Sequence, residues 1–335
     1  MSVFFLSLFI FFFNLLIFLN FKNLTNYLSF FDKPDGKLKK HKKPVSLVGG
    51  LIILINLFLI VFFLKILELD YLLFKDNFSF IIVILGTMFF LIGFIDDLKN
   101  LSPNIKLVLL LISIFLITIL FPEIKLKIIK ISFLDQIYFF KNFSLLFTIL
   151  SFALLANAMN MFDGINLQLI FFTLFVFLIF ILKGFLPIFF ILISICLVFL
   201  AILNFHNKVF IGDGGCYLIS AIIGCAFIYQ YQNFENFFFG DEVFIILLVP
   251  AMDMLRLFTF RIIRGKHPFK GDLKHLHHLV DKLTQNKNYT IMITLSLSIF
   301  PFILMIIGFT TYLILILNFL IYLTLVLFLE YKTKS

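Results

Sequence analysis

Long apolar stretches, each able to cross a lipid bilayer, make up most of this chain. Hydrophobic residues account for 62% and charged residues for only 13% of its 335 residues, whereas a soluble domain is close to half apolar and a quarter charged. A membrane-spanning helix needs about 20 apolar residues and satisfies its own backbone hydrogen bonds. The sequence therefore predicts an all-α, polytopic membrane protein that forms a single domain over residues 1–335. The predicted spans, about eleven in number, lie at roughly residues 3–21, 45–66, 78–95, 104–122, 143–161, 167–182, 185–204, 215–231, 242–258, 291–309 and 312–329.

The basic residues between the spans predict which way the chain crosses the membrane. Most of the 27 Lys and Arg residues fall on one face, in clusters that include 33–43 and 256–287. Because cytoplasmic loops are enriched in Lys and Arg, this face is predicted to be cytoplasmic, with the N-terminus outside and the C-terminus inside. All six histidines fall on the same face. Their segregation predicts a cytoplasmic active site, although loop length alone also favours that face.

Asp96 and Asp97 form the first polar site on this face, at the end of the third span. Adjacent carboxylates repel each other unless a cation lies near. A bound Mg²⁺ would relieve the repulsion, because Mg²⁺ favours a few carboxylates together with substrate phosphates. Lys106, in the early turns of the next predicted helix, faces the same surface. An ordinary solvated helix end is the alternative interpretation.

A polar stripe ends the fifth span. Asn157, Asn160 and Asp163 lie one helical turn apart and share one face of the helix. Gly164 then breaks the helix, which places the stripe at the mouth of a site rather than in the middle of the bilayer. Hydrogen bonding between helices is the alternative role for such a stripe.

A glycine-rich turn, Gly212-Asp213-Gly214-Gly215, precedes the eighth span. Glycines before a helix let backbone N–H groups approach an anion, and the helix dipole adds to the attraction. Asp213 in this bend is a candidate ligand for a divalent cation. An ordinary turn before a helix is the alternative interpretation.

The segment 256–288 carries His275, His277 and His278 together with Arg256 and other basic residues. Histidine and arginine side chains placed against anionic phosphates are the simplest interpretation of this segment. The basic residues can also be read as topology determinants. A zinc site is a further alternative, but no cysteine or acidic residue lies at a familiar ligand spacing.

Five motifs follow one another in a fixed order along the chain. They are Asp96-Asp97, Asn157-x-x-Asn160-x-x-Asp163-Gly164, Gly212-Asp213-x-Gly215, Pro250-x-x-Asp253-x-x-Arg256 and His275-Leu276-His277-His278, preceded by a weaker match over 32–50 that includes Lys40-His41. In this order the chain resembles the polyprenyl-phosphate N-acetylhexosamine-1-phosphate transferases of glycosyltransferase family 4. The resemblance covers about residues 32–280 and implies an integral membrane phosphoglycosyltransferase.

The resemblance implies transfer of a sugar 1-phosphate from a UDP-sugar donor to a polyprenyl phosphate such as undecaprenyl phosphate, with release of UMP. The implied cofactor is Mg²⁺, with Mn²⁺ as a substitute. The implied site residues are Asp96 and Asp97 (catalytic), Asn160 and Asp213 (metal), and Lys106, Asp163, Asn166, Arg256, His275, His277 and His278 (substrate). Arg256 and Asp253 are equally interpreted as a brace for the last loop.

Several positions depart from the family's pattern. Asn100 stands where a third acidic residue is frequent, Leu167 where a glycine is usual, Cys216 where a serine is usual, and Leu273 where a basic residue is common. Leu276 interrupts the histidine run, which favours a UDP-N-acetylhexosamine donor, with GlcNAc as the default, over the UDP-muramyl-peptide of phospho-MurNAc-pentapeptide transferases.

The expected location is the bacterial inner (plasma) membrane, in the initiation of a cell-envelope polysaccharide such as O-antigen. A homodimer is expected from the resemblance, and nucleic acid is not an expected partner. Two non-enzymatic alternatives stay open. One is a scaffold, because of Leu167 and Asn100; the other is a transporter, which would place ionisable residues near the bilayer midplane.

Overall fold

The computed structural model describes residues 2–32, 34, 43–67, 69, 77–134, 136–233, 238–268 and 272–334. Lys40 and His41 of the early match lie outside the described residues. The helices are α1 (Ser2–Leu19), α2 (Phe21–Leu28), α3 (Gly49–Ile66), α4 (Phe78–Lys99), α5 (Pro103–Leu120), α6 (Ser144–Phe162), α7 (Gln168–Leu182), α8 (Pro187–Phe205), α9 (Gly212–Asn233), α10 (Gly240–Ile246), α11 (Leu248–Ile263), α12 (Leu276–Thr284), α13 (Lys287–Ile307) and α14 (Thr311–Lys334). Two short antiparallel pairs accompany them, β1 (Phe31–Asp32) with β2 (Val45–Ser46) and β3 (Ile128–Lys130) with β4 (Ile137–Phe139).

Nine helices in the described ranges are long and apolar enough to cross a membrane. A further candidate span is the pair α10 and α11, which is bent by 79°, and α7 is a shorter apolar helix of 15 residues. Every predicted span therefore overlaps a helix or, at 242–258, the bent pair. The all-α, polytopic class is confirmed, and the orientation of the termini stays a prediction.

The chain divides into two compact units. Unit 1 comprises Met1–Pro122 and Thr173–Ala226, and unit 2 comprises Glu123–Phe172 and Phe227–Ser335. The Asp96-Asp97 motif and the glycine-rich turn lie in unit 1, and the other three motifs lie in unit 2.

Glycines let the helices of unit 1 approach one another at the start of α9. A Cβ at Gly50 would lie 2.5 Å from the backbone nitrogen of Gly215, and a Cβ at Gly93 would lie 2.3 Å from the carbonyl carbon of Asp213. No side chain fits at such distances, and glycine is the residue that permits close backbone approach. α3 and α4 therefore pack directly against the start of α9.

A pair of buried asparagines joins α1 to α3 within unit 1. Asn14 Nδ2 donates to Asn56 Oδ1 at 2.7 Å, and Asn56 Nδ2 donates to Asn14 Oδ1 at 3.1 Å. Amide hydrogen bonds of this kind hold helices together in lipid. They fix the register of α1, which exposes many large apolar side chains.

In unit 2, α6 packs against α11, and α12 packs against α13 and α14. α12 follows the loop after α11, so the histidine motif is carried onto this bundle. The β3–β4 hairpin lies at the N-terminal end of α6, where the hydroxyl of Ser144 donates to the carbonyl of Leu126 at 2.8 Å. The hairpin was not predicted, because the residues between the predicted spans at 104–122 and 143–161 were interpreted only as a connection between helices.

Candidate active site

A cluster of charged side chains in unit 1 comprises Asp96, Asp97, Lys106 and Asp213, and we call it the carboxylate cluster. Lys106 lies in the first turn of α5, as predicted. Its Nζ is 2.6 Å from Asp96 Oδ2 and 3.6 Å from Asp213 Oδ2. One ammonium group therefore lies between two of the carboxylates.

Asp97 binds the start of α9. Its Oδ1 accepts a hydrogen bond from the N–H of Asp213 at 3.0 Å, and its Oδ2 accepts one from the N–H of Gly214 at 3.2 Å. Gly212 has a φ of 70°, and a Cβ there would lie 2.6 Å from Asp97 Oδ2. The sequence predicted that this helix terminus attracts an anion, and in the structure that anion is the protein's own carboxylate.

Asp96 is held by the turn between α4 and α5. Its Oδ1 accepts the N–H of Leu101 at 2.7 Å, while its Oδ2 accepts from Lys106. Asn100 ends α4 with a φ of 49°, and its N–H donates to the carbonyl of Asp96 at 2.8 Å. Asparagine adopts this left-handed conformation more readily than most residues, which accounts structurally for an asparagine at position 100.

The carboxylate cluster has the charge and the oxygen donors that suit a divalent cation. Three carboxylates are grouped with one ammonium, and the side chain of Asp213 keeps 29% of its surface exposed. Across the described ranges, no three His, Cys, Asp or Glu side chains form a ready-made metal site. Mg²⁺ is commonly bound by one or two carboxylates and completed by water and substrate phosphates. Mg²⁺ fits the cluster in that mode.

A second cluster, in unit 2, comprises His275, His277 and His278, and we call it the histidine cluster. The rings of His275 and His277 stack with centroids 5.4 Å apart and planes 7° apart. The ring centroids of His277 and His278 are 4.2 Å apart. The three imidazoles thus form one compact group around the first turn of α12, where His275 is the N-cap residue.

Asp253 of α11 fixes the position of this cluster. Its Oδ2 lies 2.9 Å from Nδ1 of His275. Its Oδ1 accepts hydrogen bonds from the N–H of Leu276 at 3.1 Å and from the hydroxyl of Tyr322 at 2.9 Å. A carboxylate at Nδ1 orients the imidazole and leaves Nε2 as the nitrogen that can face a ligand.

Arg256, one turn after Asp253, uses every guanidinium nitrogen within the protein. Nη2 donates to Asp253 Oδ1 at 2.9 Å and to the carbonyl of Lys274 at 2.6 Å. Nε donates to the hydroxyl of Tyr322 at 3.1 Å, and Nη1 donates to Glu330 Oε1 at 3.1 Å. These contacts support the bracing role of Arg256 and Asp253, and substrate contact by Arg256 stays a prediction.

His277 is buried, with 1% of its surface exposed, and packs against Gly164. A Cβ at position 164 would lie 1.8 Å from its Nε2, an atom with no hydrogen-bond partner among the described residues. Burial lowers the pKa of His277 well below its ordinary value, and the neighbouring imidazoles of His278 and His275 lower it further. The ring is therefore neutral and carries an unused polar nitrogen beside the end of α6.

The rest of the polar stripe surrounds the same helix end. Asn157 Nδ2 donates to the carbonyl of Ala153 at 2.7 Å, so this amide bonds its own helix. Asn160 is half-buried in the last turn, and Asp163 is the C-cap residue. Leu167 has a φ of 70° and is 8% exposed. A left-handed backbone is the conformation that glycine adopts most readily, which fits the glycine that the resemblance predicts at position 167.

Arg261 closes the loop that follows α11. Its Nε donates to Asp272 Oδ2 at 3.0 Å, and its Nη1 donates to the carbonyl of Pro268 at 2.5 Å. Burial acts to raise the pKa of Asp272, but the hydrogen bond from Arg261 lowers it below its ordinary value.

The structure brings Asp97 beside Asp213 in unit 1 and Gly164 beside His277 in unit 2, although each pair is distant in sequence. Sequence reasoning missed Tyr322 and Glu330 of α14. A signal for them exists, because they lie about two helical turns apart and Glu330 is the single acidic residue of that helix.

Comparison with known proteins agrees with the resemblance that the five motifs carry. The family model for glycosyl transferase family 4 matches residues 79–231. A relative from Thermotoga maritima, named undecaprenyl-phosphate alpha-N-acetylglucosaminyl 1-phosphate transferase, is 28% identical over 280 residues, which cover 80% of this chain and 79% of the relative. Relatives of the same name from Salmonella typhi and Escherichia coli strain K12 are 33% and 32% identical over 81 residues, or 24% of this chain and 22% of each relative.

Proposed function

The chain belongs to glycosyl transferase family 4, and on that premise we propose that it transfers N-acetylhexosamine 1-phosphate from a UDP-sugar to undecaprenyl phosphate. The lipid phosphate oxygen forms a new bond to the sugar-bound phosphorus, and the bond from that phosphorus to UMP breaks. GlcNAc is the first expectation for the sugar, because the relatives' names specify it. The proposed setting is the cytoplasmic face of a bacterial inner membrane, at the start of an envelope polysaccharide.

The carboxylate cluster is the observation that carries this proposal. The reaction must bring an anionic phosphate to an anionic diphosphate, so its main demand is electrostatic. Lys106 is held in place by Asp96 at 2.6 Å, with its ammonium 3.6 Å from Asp213. A cation fixed in this way keeps its charge in one position when a phosphate oxygen approaches.

Asp213 is the proposed magnesium ligand in unit 1, and Asn160 stays a ligand predicted from the resemblance alone. Bound Mg²⁺ would supply positive charge against the diphosphate. Asp97 positions Asp213, because its carboxylate holds the first N–H groups of α9. A strong base is not required, since a phosphate monoester has a second pKa of about 6 and is largely dianionic at neutral pH.

The histidine cluster is proposed to bind phosphate oxygens. Asp253 fixes His275 through Nδ1, and His277 carries a buried nitrogen without a protein partner among the described residues. Asp163 and Asn166, beside Gly164, are proposed to contact the nucleotide.

Substitution of Asp213 tests the metal assignment. Asp213→Ala should abolish Mg²⁺-dependent release of UMP, while the amount of protein inserted in the membrane stays unchanged. Asp97→Asn should lose far more activity than Asp135→Asn; Asp135 lies outside the described residues and is predicted on the opposite membrane face. Full turnover in Asp213→Ala would overturn the metal assignment.

The products test the reaction itself. Purified protein is incubated with undecaprenyl phosphate and a panel of UDP-N-acetylhexosamines, and the lipid fraction is analysed by mass spectrometry. A lipid diphosphate carrying one sugar is expected with UDP-GlcNAc. Sugar flux into proteoliposomes without any lipid product would instead support the transporter alternative.

A further inference from the structure

The segment 123–143 contains the β3–β4 hairpin and is not used by the proposed reaction. Within unit 2 it lies at the N-terminal end of α6, whereas Gly164 and the histidine cluster lie at the C-terminal end. The 19 residues of α6 separate the two ends by about 28 Å at the rise of an α-helix. The hairpin therefore needs an explanation of its own.

The hairpin is held rigidly by polar atoms on its inner side. The N–H of Ser132 donates to Asp241 Oδ1 at 2.9 Å, and its hydroxyl donates to Asp241 Oδ2 at 2.5 Å and contacts the hydroxyl of Thr311 at 2.6 Å. The hydroxyl of Tyr231 bonds both the N–H and the carbonyl of Lys130. These bonds tie the hairpin to α9, α10 and α14.

The two faces of the hairpin differ at Ile129 and Phe139, although Tyr138, the partner of Ile129 on the inner face, is 42% exposed. Side chains alternate between faces along a strand, and Ile129 packs on α10, where a Cβ at Gly240 would meet it at 2.8 Å. The other face presents Ile137 and Phe139, which are 45% and 64% exposed. Phe143, just before α6, is also 64% exposed. This aromatic face adjoins the N-terminal end of the candidate membrane span that contains α6.

Lysines accompany the aromatic residues. Lys125, Lys127, Lys130 and Lys141 lie in this segment, against two acidic residues in the sequence, Glu123 and Asp135. Over the described part of the chain, no ion pair includes any of these four lysines.

We propose that the outer face of the β3–β4 hairpin lies in the membrane interface and binds anionic phospholipid headgroups. Aromatic rings are favoured at the level of the headgroups, where one side is apolar and the other wet. Lysines beside them attract lipid phosphates within a short, salt-dependent range. A rigid hairpin suits this partner because its aromatic rings need no ordering when they enter the interface.

The absence of tryptophan from the chain permits a direct test. Phe139→Trp places a single indole on the outer face, and the full-length protein is reconstituted in phosphatidylcholine vesicles with or without phosphatidylglycerol. We expect emission at short wavelength, strong quenching by lipids with brominated acyl chains, and weak quenching by iodide. Phe172→Trp, buried in unit 2, is the control and should resist both quenchers.

The lysines are tested in the same vesicles. Lys127→Gln with Lys141→Gln, in the Phe139→Trp background, should remove the extra bromolipid quenching that phosphatidylglycerol produces, as should high salt. Two results would overturn the proposal. One is long-wavelength emission of the indole with full access to iodide, and the other is lipid quenching that is unchanged by phosphatidylglycerol.

Discussion

The imidazole of His277 lies directly against Gly164, so close that a Cβ at position 164 would fall 1.8 Å from Nε2. Gly164 is not among the residues with positive φ, so its backbone conformation does not require glycine. Glycine is required because any larger residue would overlap the ring of His277. The glycine that follows the polar stripe and the buried histidine of α12 are thus in direct steric contact.

Gly164→Ala should displace the His277 ring and reduce UMP release. The overlap should also lower the free energy of unfolding by about 1–3 kcal/mol, which thermal unfolding in detergent measures. Adding His277→Ala should recover the stability, because the clashing ring is removed, but not the activity. Unchanged stability in Gly164→Ala would show that the ring does not occupy this position.

Lys106→Gln should reduce kcat on the order of 100-fold, comparable to the loss of one fixed donor to a developing anion. The ammonium that neutralises Asp96 and Asp213 is lost, while a hydrogen-bonding side chain of similar length stays. Lys99→Gln is the matched control, because Lys99 is exposed at the end of α4. Equal kcat values for the two variants would contradict the proposed role of Lys106.

Tyr322→Phe removes one hydroxyl that donates to Asp253 Oδ1 and accepts from Arg256 Nε. The expected cost is about 1 kcal/mol of unfolding free energy. Because Asp253 also holds His275, amide exchange at the start of α12 should become faster and the pH profile of kcat should shift. Tyr331→Phe, at an exposed tyrosine of the same helix, should change none of these.

The spans were predictable because each one is a continuous apolar run, and hydropathy reports burial in lipid directly. Hydropathy does not report a bend. The pair α10 and α11, which is bent by 79°, was therefore predicted as one span. Lys106 was predictable from local helix geometry, since a helix that begins at Pro103 presents it beside Asp96.

Contacts between distant helices were not predictable. Asp97 holds the N–H groups of α9 only because Gly93 lets the two backbones meet, and a single sequence does not state which glycine meets which backbone. Tyr322 and Glu330 were missed for the same reason, since their partner Arg256 lies on another helix.

The stability of the protein should fall in two steps as the pH is lowered. His277 has a folded pKa well below its ordinary 6.5, so the unfolded chain binds more protons and stability is lost as the pH falls below 6.5. Asp272 has a folded pKa that is lowered from 3.8. It also contributes stability that is lost as the pH falls, but only below about pH 3.8. His277→Gln should flatten the upper step in a series of unfolding measurements, and Asp272→Asn only the lower one. An upper step that persists in His277→Gln would assign it to another group.

Leu167→Gly separates backbone strain from side-chain burial at the position where the resemblance predicts glycine. The left-handed backbone of Leu167 costs about 1–2 kcal/mol, which glycine relieves, but removing a buried leucine costs about 2–5 kcal/mol. At the midpoints of these ranges the variant should be less stable by about 2 kcal/mol. Leu169→Gly, at a buried leucine in α7 with an ordinary helical backbone, should cost more, because it relieves no strain. Since the Leu167 side chain is buried rather than projecting into solvent, KM for the UDP-sugar should stay unchanged. A tenfold change in that KM would instead show that Leu167 contacts the donor.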